Sequence, residues 1–365
     1  MARKRITVGS LVAGIRDDWL AQQSEDILEP DLPIIDPHHH LWDVPHHRYL
    51  LPQLLTDLNS GHDIRATVYV NCQSFYRTEG PVELRSVGEI EFANGVAAMA
   101  TSGRYGAVRV CAGIVGFASL GLGAKVEDVL AAQVAAGNGR YRGVRHASNW
   151  DENEDVPNGH TDPPAGLLRD STFRQGFAKL RQFNLSFDAW LYHPQLADLT
   201  DLARAFPEQP IVLNHVGGVL GCGPYAGRRD EIFAQWRREI YELSTCPNVF
   251  VKLGGLGMKI SGFGFENQPQ PPSSHDLAVA WRPYIETCIE AFTPQRCMFE
   301  GNFPVDKISC AYPVLWNAYK RLTAGAMDAE KTALFYGSAE RFYRLADETQ
   351  TSRLGHKPPY SRHQR

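Results

Sequence analysis

The run Asp36-Pro37-His38-His39-His40 follows directly on an apolar stretch, Leu32-Pro33-Ile34-Ile35. A β-strand alternates its side chains, so His38 and His40 share one side while His39 points to the other. Two imidazoles converging at a strand end make up two thirds of a metal site, or part of an acid/base constellation. Two further histidines end apolar runs: His193 after Ala189-Trp190-Leu191-Tyr192, and His215 after Val212-Leu213-Asn214. Buried neutral imidazoles need partners, so four of them gathered at strand ends favour a functional cluster over separate structural roles. His39, Trp42 and the His46-His47 pair need not share that role.

Such a cluster needs elements that bring the strand ends together. Runs rich in β-branched and apolar residues predict strands over 33–37, 64–73, 107–116, 143–147, 185–192, 210–215, 248–254 and 297–302. Helical stretches alternate with them, over 87–100, 126–136, 172–182, 195–205 and 230–243. Eight strands alternating with helices predict an α/β chain folded as a (β/α)8 TIM barrel. The rival doubly wound sheet would carry a GxGxxG after its first strand, and none is present. Segments entering the strands are tight, as in Thr245-Cys246-Pro247, whereas those leaving strands four, six and seven are long and rich in Gly, Pro and Asn. The C-terminal ends of the strands therefore form the working face. Tyr76 and Trp150 in those loops are candidates to line a pocket, as is Gln73 on the polar Asn71/Gln73 face.

The predicted organisation is an N-terminal extension (1–30) packed over one end of the barrel, a barrel over 31–346, and a polar tail (347–365) that reads as disordered. A net charge of −4 gives no sign of a nucleic-acid partner, and no apolar run approaches the ~20 residues of a membrane span. The N-terminus lacks a signal-peptide core, and seven cysteines form no CxxC pair, which together predict a reducing, cytoplasmic setting.

The stretches IIDPHHHLWD, IVLNHVGG, NVFVKLGGL, RCMFEGNFPVD and LFYGSAERFYRL, in that order, resemble the amidohydrolase superfamily. The nearest branch is the amidohydrolase-2 group that includes sugar lactonases and pyrone-dicarboxylate lactonase. The resemblance implies a hydrolase whose first-strand HxH is His38 and His40 and whose sixth-strand histidine is His215. It also implies that Arg145 holds a substrate carboxylate or carbonyl, and that a divalent ion, commonly zinc, polarises the carbonyl or activates water. The family's eighth-strand aspartate is replaced by Asn302, and an amide is a poor base. Glu300, two residues earlier, shares the parity of Asn302 and is the candidate replacement as metal ligand or base, unless it merely pairs with Arg145 or Lys252. Asp188 reads as facing the helix layer, and Asp306 as a cap or a partner of Lys307.

The resulting expectation is a metal-dependent lactonase-like enzyme acting on a small molecule, with His38, His40, His215 and Glu300 as ligands. Glu300, Asn302, His193 and His215 are the catalytic candidates, and Arg145, Gln73, Tyr76 and Trp150 the substrate-binding ones. The rivals are a redox enzyme holding iron or manganese on the same barrel, and a non-catalytic barrel subunit; a metal-free hydrolase also stays open. A second copy or a paralogous barrel remains open as partner.

Overall fold

The computed structural model describes residues 14–45 and 47–346, with Thr7 and Ser10. The tail and His46 lie outside the described residues. Eight parallel strands follow one another in chain order around one sheet. They are β1 (Pro33–His39), β2 (Asp63–Val70), β3 (Arg109–Gly116), β4 (Tyr141–Ala147), β5 (Ser186–Trp190), β6 (Ile211–Leu213), β7 (Val249–Leu253) and β8 (Cys297–Phe299). Beyond its last ladder residue β8 closes on β1: Asn302 N–H donates to the His38 carbonyl at 2.8 Å, and His40 N–H to the Phe303 carbonyl at 2.8 Å. The chain is a (β/α)8 barrel, and its seam passes through His38, His40 and Asn302.

An outer ring follows strand by strand: α1 (Leu51–Leu58), α2 (Val87–Ala100), α3 (Val126–Gly137), α4 (Ser171–Lys179), α5 (Leu196–Ala205), α6 (Arg229–Ser244), α7 (Ser274–Phe292) and α8 (Tyr312–Leu322). Local chemistry starts some of them. The Asp170 side chain accepts from Phe173 N–H at the head of α4, and Ser273 with Asp276 forms a capping box at the head of α7. Among the described residues, no helix is long and apolar enough to cross a membrane.

Several strands stop short of expectation, β2 at Val70 rather than 73 and β8 at Phe299 rather than 302 among them, and two departures bear on the site. Residues 214–215 leave the ladder, because His215 and Val216 take left-handed backbone angles. In β1 the register slips between Asp36, paired with Thr67, and His39, paired with Tyr69. This extra residue lets Asp36 face outward to the Tyr312 hydroxyl of α8 (2.9 Å) while His38 still enters the barrel.

The barrel interior is layered. Its lower layer is apolar, with Ile35, Ala66, Val68, Val115, Val212 and Met298 packed against Phe342, Tyr343 and Leu345, which stop the N-terminal end of the barrel. Above it lies a fully buried ion pair, Lys252 Nζ to Asp188 Oδ2 at 2.8 Å. Asp188 therefore faces inward, contrary to its expected outward parity, and also accepts from Tyr343 O–H (2.8 Å) and Asn214 Nδ2 (3.2 Å). The N-terminal segment runs along α7 and α8: Glu25 accepts from Ser274 N–H at 2.6 Å, and Lys320 Nζ donates to the carbonyls of Leu28 and Glu29 at 2.7 Å.

Removing one partner of a buried pair leaves an uncompensated charge. Lys252→Met should therefore destabilise the fold by ~3–5 kcal/mol. Tyr343→Phe removes one hydrogen bond to the same carboxylate and should cost only about 1 kcal/mol. Urea denaturation of both variants checks the order; equal losses would show that Asp188 does not depend on Lys252.

Candidate active site

The site is assembled from the carboxyl ends of β1, β4, β6 and β8, where a cavity of about 520 Å³ opens. Glu300, fully buried just past β8, lies behind the cavity wall against His215. Its Oε1 accepts from His215 Nδ1–H at 2.7 Å and from the His215 backbone N–H at 3.0 Å. Its Oε2 lies 2.7 Å from His38 Nδ1, yet too far out of line for a good hydrogen bond, so that buried oxygen has no aligned partner. The rings of His38 and His215 are 4.6 Å apart. The arrangement depends on two glycines after β7. A Cβ on Gly254 would lie 2.5 Å from Glu300 Cγ, and one on Gly255 the same distance from the His215 ring. The pair Gly254-Gly255 is thus a clearance requirement for the carboxylate and its imidazole.

Positive charge surrounds this core. Arg145 NH1 points to His38 Nε2 at 3.3 Å, a second nitrogen donates to the Asn71 carbonyl, and Arg145 Nε is buried without a partner. Lys252 Nζ is 3.3 Å from His38 Nδ1. Burial first, then Lys252, holds the His38 imidazole well below its usual protonation range. Burial also lowers His40, with Arg145 adding to the effect, and it lowers His215 against the opposing pull of Glu300. These imidazoles are neutral, as ligation requires. Among the described residues, His38, His215 and Glu300 place ligand atoms within 4.8 Å of one another. Two neutral nitrogens and a carboxylate oxygen without an aligned partner suit a divalent cation such as zinc.

His40 lies beside this set and outside it. Its ring centroid is 4.9 Å from that of His38, and its Nδ1 is 2.8 Å from the Val70 carbonyl. A carbonyl can only accept, so Nδ1 carries the hydrogen and Nε2 keeps a lone pair. Arg145, Gln73, His215 and Asn302 line the cavity, as does His40. Gln73, His215 and Asn302 all hold positive φ angles (62°, 56° and 52°), the strained backbone that gathers at binding sites.

Three sequence candidates lie elsewhere. The His193 ring packs on Tyr225, and its Nδ1 accepts from Leu220 N–H at 3.3 Å. Its place is behind the cavity, because the chain turns into a short 3₁₀ segment at His193–Gln195. Tyr76 accepts from Asn71 Nδ2 at 3.1 Å and supports the β2 end. Trp150 donates its backbone N–H to Gln195 (3.1 Å) and is absent from the lining. Glu79 and Glu83 are exposed. Glu300 pairs with neither Arg145 nor Lys252; Lys252 is engaged by Asp188.

Sequence reasoning missed other contributors. Trp190 sets its ring edge-on to His215 at 4.8 Å, and Trp42 and His160 complete parts of the wall. Trp190 lies inside the predicted strand over 185–192, on the parity of Asp188, whose assigned outward direction concealed it; it ends the observed β5. Asp306 is fully buried, and its Oδ1 accepts from Asn302 Nδ2 at 2.9 Å. Lys307 turns instead toward Asp17 and Asp57 (3.5 and 3.6 Å). The amide at position 302 is therefore backed by a carboxyl, which orients it toward the cavity.

An amidohydrolase family model matches residues 35–345. The chain belongs to the amidohydrolase family. It is an enzyme of the hydrolase class. An uncharacterised protein of Sinorhizobium fredii, y4mH, is 32% identical over 343 residues, covering 86% of this chain and 99% of its own. An L-fucono-1,5-lactonase of Burkholderia multivorans is 27% identical over 224 residues, covering 60% of this chain and 68% of that protein. Among solved structures, a Burkholderia multivorans amidohydrolase with bound zinc superposes with a TM-score of 0.65 at 23% identity, covering 86% of this chain and 99% of that one. At that identity the likeness speaks for the fold.

Burial pushes the Asp306 carboxyl up from 3.8 to about 8. The folded state therefore binds more protons than the unfolded chain between those values, so this group lowers stability as pH rises from about 4 through about 8. Asp306→Asn should flatten that slope in thermal unfolding scans. An unchanged slope would place the titration elsewhere.

Proposed function

We propose that this amidohydrolase opens a lactone by metal-assisted attack of water. The observation that carries the reading is the Glu300 carboxylate set between the imidazoles of His38 and His215, beside a cavity that His215 and Arg145 line. His38, His215 and Glu300 would hold one divalent ion, zinc being the choice supported by the donor set and by the zinc in the Burkholderia structure. When bound, the ion supplies a Lewis acid for the carbonyl and lowers the pKa of water.

The remaining work falls to the chain itself. Arg145 still has a donor without a partner and orients the ester carbonyl or a neighbouring carboxylate. Asn302, held by Asp306, offers its amide oxygen to the attacking water. His40 Nε2 accepts the proton that the water loses as its oxygen bonds to the carbonyl carbon. The ring C–O bond then breaks, and that proton passes to the departing ring oxygen, giving a hydroxy acid. Trp42 and Trp190 wall the cavity and exclude bulk water. A lactone is favoured over an amide by the lactonase among the relatives.

Proton release from a panel of γ- and δ-lactones, with elemental analysis of the purified protein, tests this reading. Metal-replete protein should hydrolyse at least one lactone, and a chelator should abolish turnover that zinc restores. Glu300→Gln should lower kcat/KM by at least ~100-fold and reduce the metal content. Arg145→Lys should raise KM by about 10-fold with little change in thermal stability. Metal-replete protein that leaves every lactone intact would exclude the assignment.

A further inference from the structure

The turn that leaves β2 is held by a carboxylate to which the reaction described above gives no task. Glu89 stands in the first turn of α2, and its side chain is fully buried against residues 71–74. Its Oε1 accepts from Tyr69 O–H (2.8 Å), Cys72 N–H (2.9 Å) and Ser74 N–H (3.1 Å), and its Oε2 accepts from Asn71 Nδ2. Four donors aimed at two oxygens form the setting of an ionised carboxylate, which can only accept. Burial raises this carboxyl, and the same four donors pull it back. Tight packing holds the helix against the turn: a Cβ on the preceding residue, Gly88, would lie 2.6 Å from the Phe75 carbonyl oxygen.

The carboxylate grips one peptide unit that Arg145 grips from the other side. The Cys72 N–H and the Asn71 carbonyl belong to the same planar trans peptide, so they point in opposite directions and turn together. Glu89 takes the N–H, and the Arg145 guanidinium donates to the carbonyl. Asn71 N–H donates to the Val115 carbonyl (2.8 Å), which ties the unit to β3. Gln73 sits between the two backbone N–H groups that Glu89 collects, and it lines the cavity together with Arg145. Its φ is 62° and that of Phe75 is 57°, angles that such residues keep only where their surroundings enforce them. Without the carboxylate the turn would relax and carry the Asn71 carbonyl away from Arg145.

Resting on the lactonase reading, we infer that Glu89 is a positioning residue, which fixes the Asn71–Cys72 peptide plane and thereby aims the Arg145 guanidinium at the substrate. What matters is that its oxygen reaches the turn; its charge is secondary. A glutamine at this position keeps the reach. One oxygen still accepts from Cys72 and Ser74, and Asn71 can turn its Oδ1, now buried without a partner, to the new amide. An aspartate keeps the charge but falls one methylene short, and a methionine keeps the length without an acceptor. Misplacing a substrate-orienting group by about 1 Å is enough to lower a rate by up to about 100-fold.

The test measures kcat and KM of the full-length, zinc-loaded protein on the lactone that wild type hydrolyses best. Glu89→Asp and Glu89→Met should each raise KM by about 10-fold with kcat within about 3-fold, while Glu89→Gln stays within about 3-fold of wild type in both. The two damaging variants fail for different reasons, so either one suffices should the other not fold. In an Arg145→Lys background the same substitution should add less than about 2-fold to KM, since the group it positions is already gone. A purely structural role would lower thermal stability and multiply in full with Arg145→Lys. That result, an unchanged KM, or a Glu89→Gln as damaged as Glu89→Asp would overturn the assignment. Should wild type hydrolyse no lactone, the lactonase reading fails by itself, and crystal structures of wild type and the variants judge Glu89. An Arg145 guanidinium displaced by more than about 1 Å in Glu89→Asp or Glu89→Met, and in its wild-type place in Glu89→Gln, supports the role; an unmoved guanidinium in the first two refutes it.

Discussion

A carboxylate buried in the throat of a barrel must be compensated by its surroundings, and Glu300 shows how far that requirement reaches. Its oxygens are approached by His215 Nδ1 and His38 Nδ1 at 2.7 Å each, and these histidines come from the first strand and from the end of the sixth. To bring them there, β1 slips register before His38, the chain at His215 adopts a left-handed turn, and Gly254 and Gly255 stay bare. Each of these features is unfavourable or neutral taken alone. Together they exchange the hydration of one carboxylate for fixed protein partners, which is the preorganisation a catalytic site needs.

Beneath Glu300 the same logic repeats with opposite sign. Lys252 is buried without exposure, and Asp188, the Pro37 carbonyl and the nearby His38 ring account for its ammonium. The upper and lower polar layers meet at His38, which lies close to Glu300, Arg145 and Lys252. A single imidazole thus couples the packed floor of the barrel to the open site. The aromatic stopper of Phe342 and Tyr343 completes this column, since Tyr343 donates to the carboxylate that holds Lys252. The packed floor and the candidate site consequently share residues here, and substitutions near the floor should be read with both in mind.

The replacement at position 302 also acquires a physical account. An aspartate there would face the buried Asp306 carboxyl across the 2.9 Å contact that the Asn302 amide now makes as a donor. Two carboxyls at that separation cannot both ionise comfortably. An amide satisfies Asp306 through its N–H and leaves its oxygen for the cavity, while the Glu300 carboxyl lies one layer down.

Much of this was legible in the sequence because it depends on short-range regularities. Strand alternation paired His38 with His40 and Glu300 with Asn302, and the tight-in, long-out connections identified the working face. Arg145, His215 and Gln73 reached the cavity as their strand-end positions implied. Parity counting failed where the backbone leaves the regular strand or where burial reverses an expectation. Asp188 turned inward to meet Lys252, His193 passed behind the cavity on a short 3₁₀ turn, and Asp306 came to support Asn302. His160 was beyond reach for a different reason. Its position depends on hydrogen bonds from Gly159, Thr161 and Tyr192 to partners that the sequence does not mark as neighbours. Side-chain direction along a strand is a local property of the polypeptide, whereas the path of a long loop is settled by the distant groups that satisfy its backbone.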